Sequence, residues 1–224
     1  MKGLLIKDFK LLTRNKSTLL IVLAIILFFP MLEMDPGFIV SYTMIILLFL
    51  TVSTISYDDF DNGMAFLFTL PIDRKTYVRE KYVLGLVVAV ASWILAVFIN
   101  VAYMSLLANE SAETIGRVLL SVLMIFPAML LMWEVILPLQ LKFGAEKARV
   151  VLFIVAGVSA AIGVITTKIA AANEEQANKV VNAVAGKLVQ LTPMQVGIAL
   201  FAVAVAGLLI SYASSVRIVE KKEY

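Results

Sequence analysis

Cysteine and histidine are both missing from the 224 residues. Their absence excludes disulfides, thiolate or imidazole metal sites, haem held by an axial histidine, and every hydrolytic triad built on a His base. Charge is scarce as well: Asp, Glu, Lys and Arg make up 16% of the chain, against about 25% in a soluble domain. Apolar residues take up the difference, at 62% of the sequence and a mean hydropathy of +0.98. They are gathered in long uninterrupted runs, so lipid is the solvent for most of this polypeptide. The net charge is only +3, and the basic residues sit in small groups between apolar runs, not along the continuous basic face that nucleic acid requires. Nucleic acid is therefore excluded as a partner. No G-x-x-x-x-G-K-[ST] phosphate loop, HExxH pair or EF-hand loop occurs, so no catalytic, cofactor-binding or metal-binding residue is expected in this chain. No Asp lies within the apolar runs, which leaves a two-aspartate intramembrane protease without support.

A helix needs about 20 apolar residues to cross a hydrocarbon core of about 30 Å. Six stretches meet or approach that length: residues 17–32, 38–57, 82–108, 118–141, 150–167 and 194–216. The expected fold is therefore all-α, a polytopic bundle of six transmembrane helices forming one membrane domain over residues 1–224. The longest intervening segment, Lys168 to Pro193, has 26 residues, too few for a separate soluble domain. The first stretch is short for a span, and Lys16 together with the Glu33–Gly37 turn would have to close the gap. The residues Phe28-Phe29-Pro30-Met31-Leu32-Glu33 offer no small-residue cleavage site, so this stretch reads as a retained span, not a signal peptide.

Fifteen of the 19 Lys and Arg residues fall in the N-terminal segment, residues 58–81, residues 142–149 and the C-terminal segment; the other side holds four, beside six acids. The positive-inside rule then places both termini in the cytoplasm, as an even number of spans requires.

The N-terminal segment up to Lys16 sets Leu5, Phe9 and Leu12 against Lys7, Lys10 and Arg14. That amphipathic pattern suits an interfacial helix at the cytoplasmic leaflet. Between the second and third spans lies a more informative cytoplasmic segment, residues 58–81. Asp58, Asp59 and Asp61 precede Asn62 and Gly63, acids that favour a helix N-terminus. A short helix from Met64 to Leu70 follows, ended by Pro71, and Asp73 can cap the next helix. Five of its seven residues are large and apolar and none is charged. Such a helix buries itself in the lipid interface or against another protein. The acidic lead-in is repelled by an anionic leaflet, which favours a protein docking surface.

Glu134 is the one acid clearly inside a span, between Pro127 and Pro138, where helix irregularity is expected. Intramembrane acids face a cavity or a partner, although Glu134 could also reach the interface beside Trp133. Small residues recur at Ser159, Gly163 and Thr167 in the fifth span, with Ala156 and Ala160 nearby, and at Gly207, Ser211 and Ser215 in the sixth. They permit close helix approach, within the subunit or between subunits. Before the sixth span, Val180, Val181, Val184 and Leu188 recur at helical spacing, an outer amphipathic helix that would lid an exit pathway or cap the bundle.

The run Asp58-Asp59-Phe60-Asp61-Asn62-Gly63, then Leu67-Phe68-Thr69-Leu70-Pro71-Ile72-Asp73-Arg74, then Tyr77-Val78-Arg79-Glu80-Lys81-Tyr82, resembles the hallmark of permease subunits of ABC type-2 exporters. The six-span layout, the N-terminal interfacial helix and the outer helix resemble that family too. Size and lack of fused domains are most similar to the membrane subunits of bacterial exporters for amphipathic peptides, such as phenol-soluble modulins, or of bacteriocin-immunity exporters. The resemblance implies a bacterial cytoplasmic-membrane protein, itself no enzyme, that exports amphipathic peptides or lipophilic compounds. It implies that Met64 to Leu70 is a coupling helix, with Asp58, Asp59, Phe60, Asp61, Asn62, Gly63, Met64, Phe66, Leu67 and Pro71 as its ATPase-coupling residues. Two ABC ATPase subunits holding ATP and Mg would then serve two membrane subunits, alike or related, with the pathway between them. Residues such as Tyr42, Thr54, Asn100 and Tyr103 would suit many cargoes along it. A membrane scaffold or immunity protein that transports nothing, and an ion-coupled carrier, remain alternatives at the level of sequence.

Overall fold

The computed structural model describes residues 1–14, 16–60, 63–172 and 193–222, with some side chains between 145 and 172 and those of 18 and 193 outside the description. Every element among the described residues is helical. In chain order these are α1 (Lys2–Arg14), α2 (Lys16–Phe28) continued by a 3-10 turn (Phe29–Leu32), α3 (Pro36–Asp59), α4 (Gly63–Thr69), α5 (Arg74–Leu106), α6 (Ala112–Leu123), α7 (Ile125–Ala172) and α8 (Pro193–Lys221). An all-helical chain is the outcome expected for apolar runs in lipid, where each backbone N–H and C=O must find its partner within its own segment.

Four helical stretches are long and apolar enough to cross a membrane: Pro36–Asp59, Arg74–Leu106, Ala112–Gly144 and Met194–Lys221. A fifth results if α1 and Leu19–Leu32, which meet at 66°, count as one broken span. The expected span at 150–167 is helical throughout as part of α7, though most of its side chains are outside the description. The outer helix expected around residues 178–188 lies wholly outside the described residues.

Local chemistry sets the helix starts. Pro36 occupies the first turn of α3, and the Asp35 carboxylate accepts a hydrogen bond from Phe38 N at 3.1 Å, an N-cap. Ser111 caps α6 by accepting from Thr114 N at 3.2 Å. Asp73 sits at the N-cap of α5, but its side chain makes no capping hydrogen bond, contrary to the sequence expectation. Around Glu134 the expected irregularity is absent: Pro127 stands in the first turn of α7, just after the break at Met124, and the helix runs on through Pro138 to break at Gly144, whose φ of 74° favours glycine.

The core lies where α3, α5, α7 and α8 meet, with Val40, Met44 and Leu48 from α3, Ala89 and Ala96 from α5, and Trp133 and Leu137 from α7 all buried. Close approach of α5 to α7 depends on Gly85, because a Cβ there would overlap the six-membered ring of Trp133. On α8, Ser211 and Ser215 place their hydroxyls 2.6 and 2.9 Å from the Tyr82 hydroxyl of α5, and Gly207 packs on Glu134 of α7. The small-residue stripe of the last span thus serves packing within the subunit. The corresponding residues of the fifth span, Ser159, Gly163 and Thr167 with Ala156 and Ala160, have side chains outside the description.

Candidate functional site

At the end of the bundle where α3 finishes and α5 begins, two carboxylates and two ammonium groups close into a ring. Asp8 and Lys7 come from α1, Asp58 from the last turn of α3 and Lys81 from the second turn of α5. Lys7 Nζ bonds Asp58 Oδ1 and lies 3.0 Å from Asp8 Oδ1. Lys81 Nζ bonds Asp8 Oδ2 and lies 2.7 Å from Asp58 Oδ2. Each carboxylate therefore faces both cations and each cation both carboxylates. Lys81 also donates to Thr54 Oγ1 at 3.0 Å. Tyr77 donates its hydroxyl to Asp58 Oδ2 at 3.1 Å, and its ring stands 5.1 Å from Lys81 Nζ.

This ring is buried. Lys81 is 1% exposed and Asp8 0%, values that a charged side chain reaches only when paired. Burial pushes the Asp8 carboxyl up, but the Lys81 ammonium and then Lys7 outweigh it and hold it below the usual carboxylate range. Burial lowers the Lys7 ammonium, and the Asp58 and Asp8 carboxylates outweigh that and raise it above its ordinary value. Glu80 adds a third buried acid, with Oε2 at 3.8 Å from Lys81 Nζ and neither oxygen hydrogen-bonded among the described residues.

The short helix α4 starts close by, with Gly63 against the backbone of Asp58. Its register differs from the expected Met64 to Leu70 by one residue, and its apolar residues divide between two faces. Met64 and Leu67 are buried in the chain's own core, so these two expected coupling residues are not presented outward. Phe66 is 70% exposed; so are Phe60, at the C-cap of α3, at 72%, and Leu70, just past α4, at 44%. Asp58 is likewise turned inward into the ring; Asp59 is exposed and lies beside the Gly144 break. Gly63 starts α4 against the backbone of Asp58, where a Cβ would come within 2.7 Å of the Asp58 carbonyl oxygen. Pro71 is exposed just beyond the helix. Asp61 and Asn62 lie outside the described residues.

The far end of α4 is anchored as well. Arg74 donates to the carbonyl oxygens of Val219 and Glu220 at 3.1 and 2.6 Å, at the C-terminal end of α8, and its guanidinium stands over the Phe68 ring at 5.5 Å. Phe68 in turn meets Tyr77 edge-on, with centroids 5.8 Å apart. The short helix is thereby tied to α3 and α5 and, by way of Arg74, to α8, while Phe66 stays exposed. A family model described as "ABC-2 family transporter protein" matches residues 3–220, nearly the whole chain. The chain belongs to the ABC-2 family of transporter membrane proteins. Among curated proteins and among solved structures nothing matches the chain. As an ABC-2 membrane protein it is a permease component, of a family that works with a cytoplasmic ATPase.

Sequence reading of this ABC-2 protein missed Lys7, Asp8, Thr54, Tyr77 and Lys81 as one unit. A signal was present in α1: Leu4, Asp8, Leu11 and Leu12 share the i, i+4, i+7, i+8 spacing of one face. An acid on that face needs a cation from elsewhere. Leu4 and Asp8 are the buried residues of α1, whereas Phe9 is 63% exposed. The Glu134 side chain does not reach an interface beside Trp133, since Trp133 is 1% exposed against Gly85 and Glu134 is 3% exposed against Gly207. Of the residues suggested for a pathway, Thr54 belongs to the ring, Asn100 donates to the Ala96 carbonyl at 2.8 Å, and Tyr42 packs on Phe29 with centroids 4.9 Å apart. Tyr103 and Asn100 do share a recess at the opposite end of the bundle.

Proposed function

We propose that this chain is the membrane-spanning half of an ATP-driven exporter, crossing the bacterial cytoplasmic membrane six times with both termini inside and moving amphipathic peptides or other lipophilic compounds outward. Two copies, or one copy and a related permease, would pair with two ATPase subunits carrying ATP and Mg. The observation that carries this reading is α4: a two-turn helix with one face locked in the core and Phe60, Phe66 and Leu70 left outside on a charge-ringed, rigid base. A surface-exposed aromatic pair on an immobilised mount is what a partner protein grips.

Rigidity matters for the mechanism. Closure of the ATPases on nucleotide would push on the Phe60–Phe66 edge, and a flexible mount would dissipate the movement. Here the ring transmits it to α1 and α5, and Arg74 transmits it to α8, so the push becomes a tilt of packed helices. The thermodynamic requirement is that nucleotide-bound ATPase binds one tilt better than the other.

The test uses Phe66→Asp. Phe66 is largely exposed, so the bundle is expected to stay intact by size-exclusion profile and melting temperature. Recovery of the ATPase with the tagged membrane subunit should fall at least about tenfold, the loss of about 1.4 kcal/mol or more expected of an aromatic anchor replaced by a charge. Undiminished recovery of the ATPase would count against α4 as the docking helix. Export driven by an ion gradient in vesicles without nucleotide would support the carrier alternative instead.

A further inference from the structure

Away from the ring, α7 and α8 border an open recess of about 510 Å³ whose walls are almost wholly apolar, with Leu131, Val135, Pro138 and Ile210 prominent among them. Two hydroxyls, Ser211 and Ser214, also border it, and so does Glu134. Ser211 is already engaged: its hydroxyl donates to the Glu134 backbone carbonyl at 2.5 Å and lies 2.6 Å from the Tyr82 hydroxyl. The Glu134 carboxyl is different. It is 3% exposed, and neither oxygen has a hydrogen-bond partner among the described residues. Its place is a built one, because the bare face of Gly207 receives it where any Cβ would overlap Oε2.

An unpartnered carboxyl among apolar walls is a costly arrangement that packing alone does not explain, since Leu or Met would fill the same volume at less cost. The chemistry that complements it is a single positive charge surrounded by apolar groups: the charge pairs with Glu134 and the apolar groups line the walls. We propose that the α7–α8 recess is a binding site for lipophilic cations, with Glu134 as the counter-charge and Gly207 as the residue that makes room for it. The site belongs to this chain alone, and its occupancy requires neither an ATPase nor the exporter reading.

Two ions of the same shape and opposite charge test this directly. Full-length protein in an uncharged maltoside detergent is dialysed against tetraphenylphosphonium or tetraphenylborate, with empty micelles subtracted. Wild-type protein should bind the phosphonium saturably, one per chain, and show no saturable binding of the borate. Glu134→Gln should weaken phosphonium binding at least about tenfold, the loss of one desolvated charge pair. Equal binding of both ions, or unchanged phosphonium binding by Glu134→Gln, would overturn the proposal. A second arm needs no variant: a hydrophobic carbodiimide should modify Glu134 of wild-type protein, read by peptide mass spectrometry, and phosphonium but not borate should protect it. Absence of modification, or protection by neither ion, would overturn the proposal too. Added phosphatidylethanolamine that displaces the phosphonium at low mole fraction would overturn it in favour of a lipid amine as the occupant.

Discussion

Lys81→Met is expected to destabilise this protein more than any other single change in the charge ring, by about 3–5 kcal/mol, the range found when one partner of a buried ion pair is removed. The reason lies in what remains. Asp8 and Asp58 would each lose one of two cations, Thr54 would lose a hydrogen bond, and Glu80 would lose the ammonium 3.8 Å away. Met fills the space of the Lys stem, so the effect is one of charge, not of a cavity. The measurement is the midpoint of unfolding in mild detergent, which should drop well below that of wild type. Adding Asp8→Asn to Lys81→Met should restore part of the loss, because Lys7 and Asp58 then form a complete pair by themselves. A Lys81→Met protein that melts with wild type would show that the ring is solvated and contributes little, in the manner of surface ion pairs.

Gly85→Ala is the second large effect expected, and its size comes from backbone proximity. A Cβ at 85 would overlap three atoms of the Trp133 indole, all of them in or bordering its six-membered ring. Trp133 cannot step aside: it is 1% exposed and packs edge-on against Tyr82, with centroids 5.4 Å apart. Either the indole leaves its rotamer or α5 and α7 separate, and overpacking of this sort costs about 1–3 kcal/mol, or more where the backbone must move. Trp133→Phe offers a rescue, since phenylalanine lacks the second ring of the indole. The Trp133 Nε1 group has no hydrogen-bond partner among the described residues, so the exchange forfeits no bond. The double variant Gly85→Ala/Trp133→Phe should therefore unfold at a higher denaturant concentration than Gly85→Ala alone. If the two losses simply add, the contact is not the source of the strain.

These two sites differ in how far they were legible. Gly85 is one small residue inside a long apolar run, and nothing along the chain says that an indole 48 positions later lies over it. Asp58 was legible as an unusual acid, but not as a member of a buried ion-pair ring. In sequence it stands with Asp59 and Asp61 in an acidic cluster; in space it turns inward to Lys7, 51 residues away, while Asp59 remains outside. The apolar heptapeptide around α4 was similarly half legible. Its composition required burial, and helical periodicity could have divided it, since Met64 and Leu67 are three residues apart and Phe66 lies off that face. What periodicity could not say is that the bundle itself covers the first face.

Length and hydropathy by themselves determined that this chain is helical and lives in lipid, because a segment that must satisfy its own backbone in hydrocarbon has few choices. Local sequence also determined the caps at Asp35 and Ser111 and the family-like segment around α4, features that depend on neighbours within a few residues. Only the tertiary structure decided which charges pair, which glycines admit another helix, and which edge of α4 is left outside. Those outcomes depend on the angle and register between helices distant in sequence, where a rotation of one residue, about 100°, would carry Asp58 or Phe66 to the opposite face.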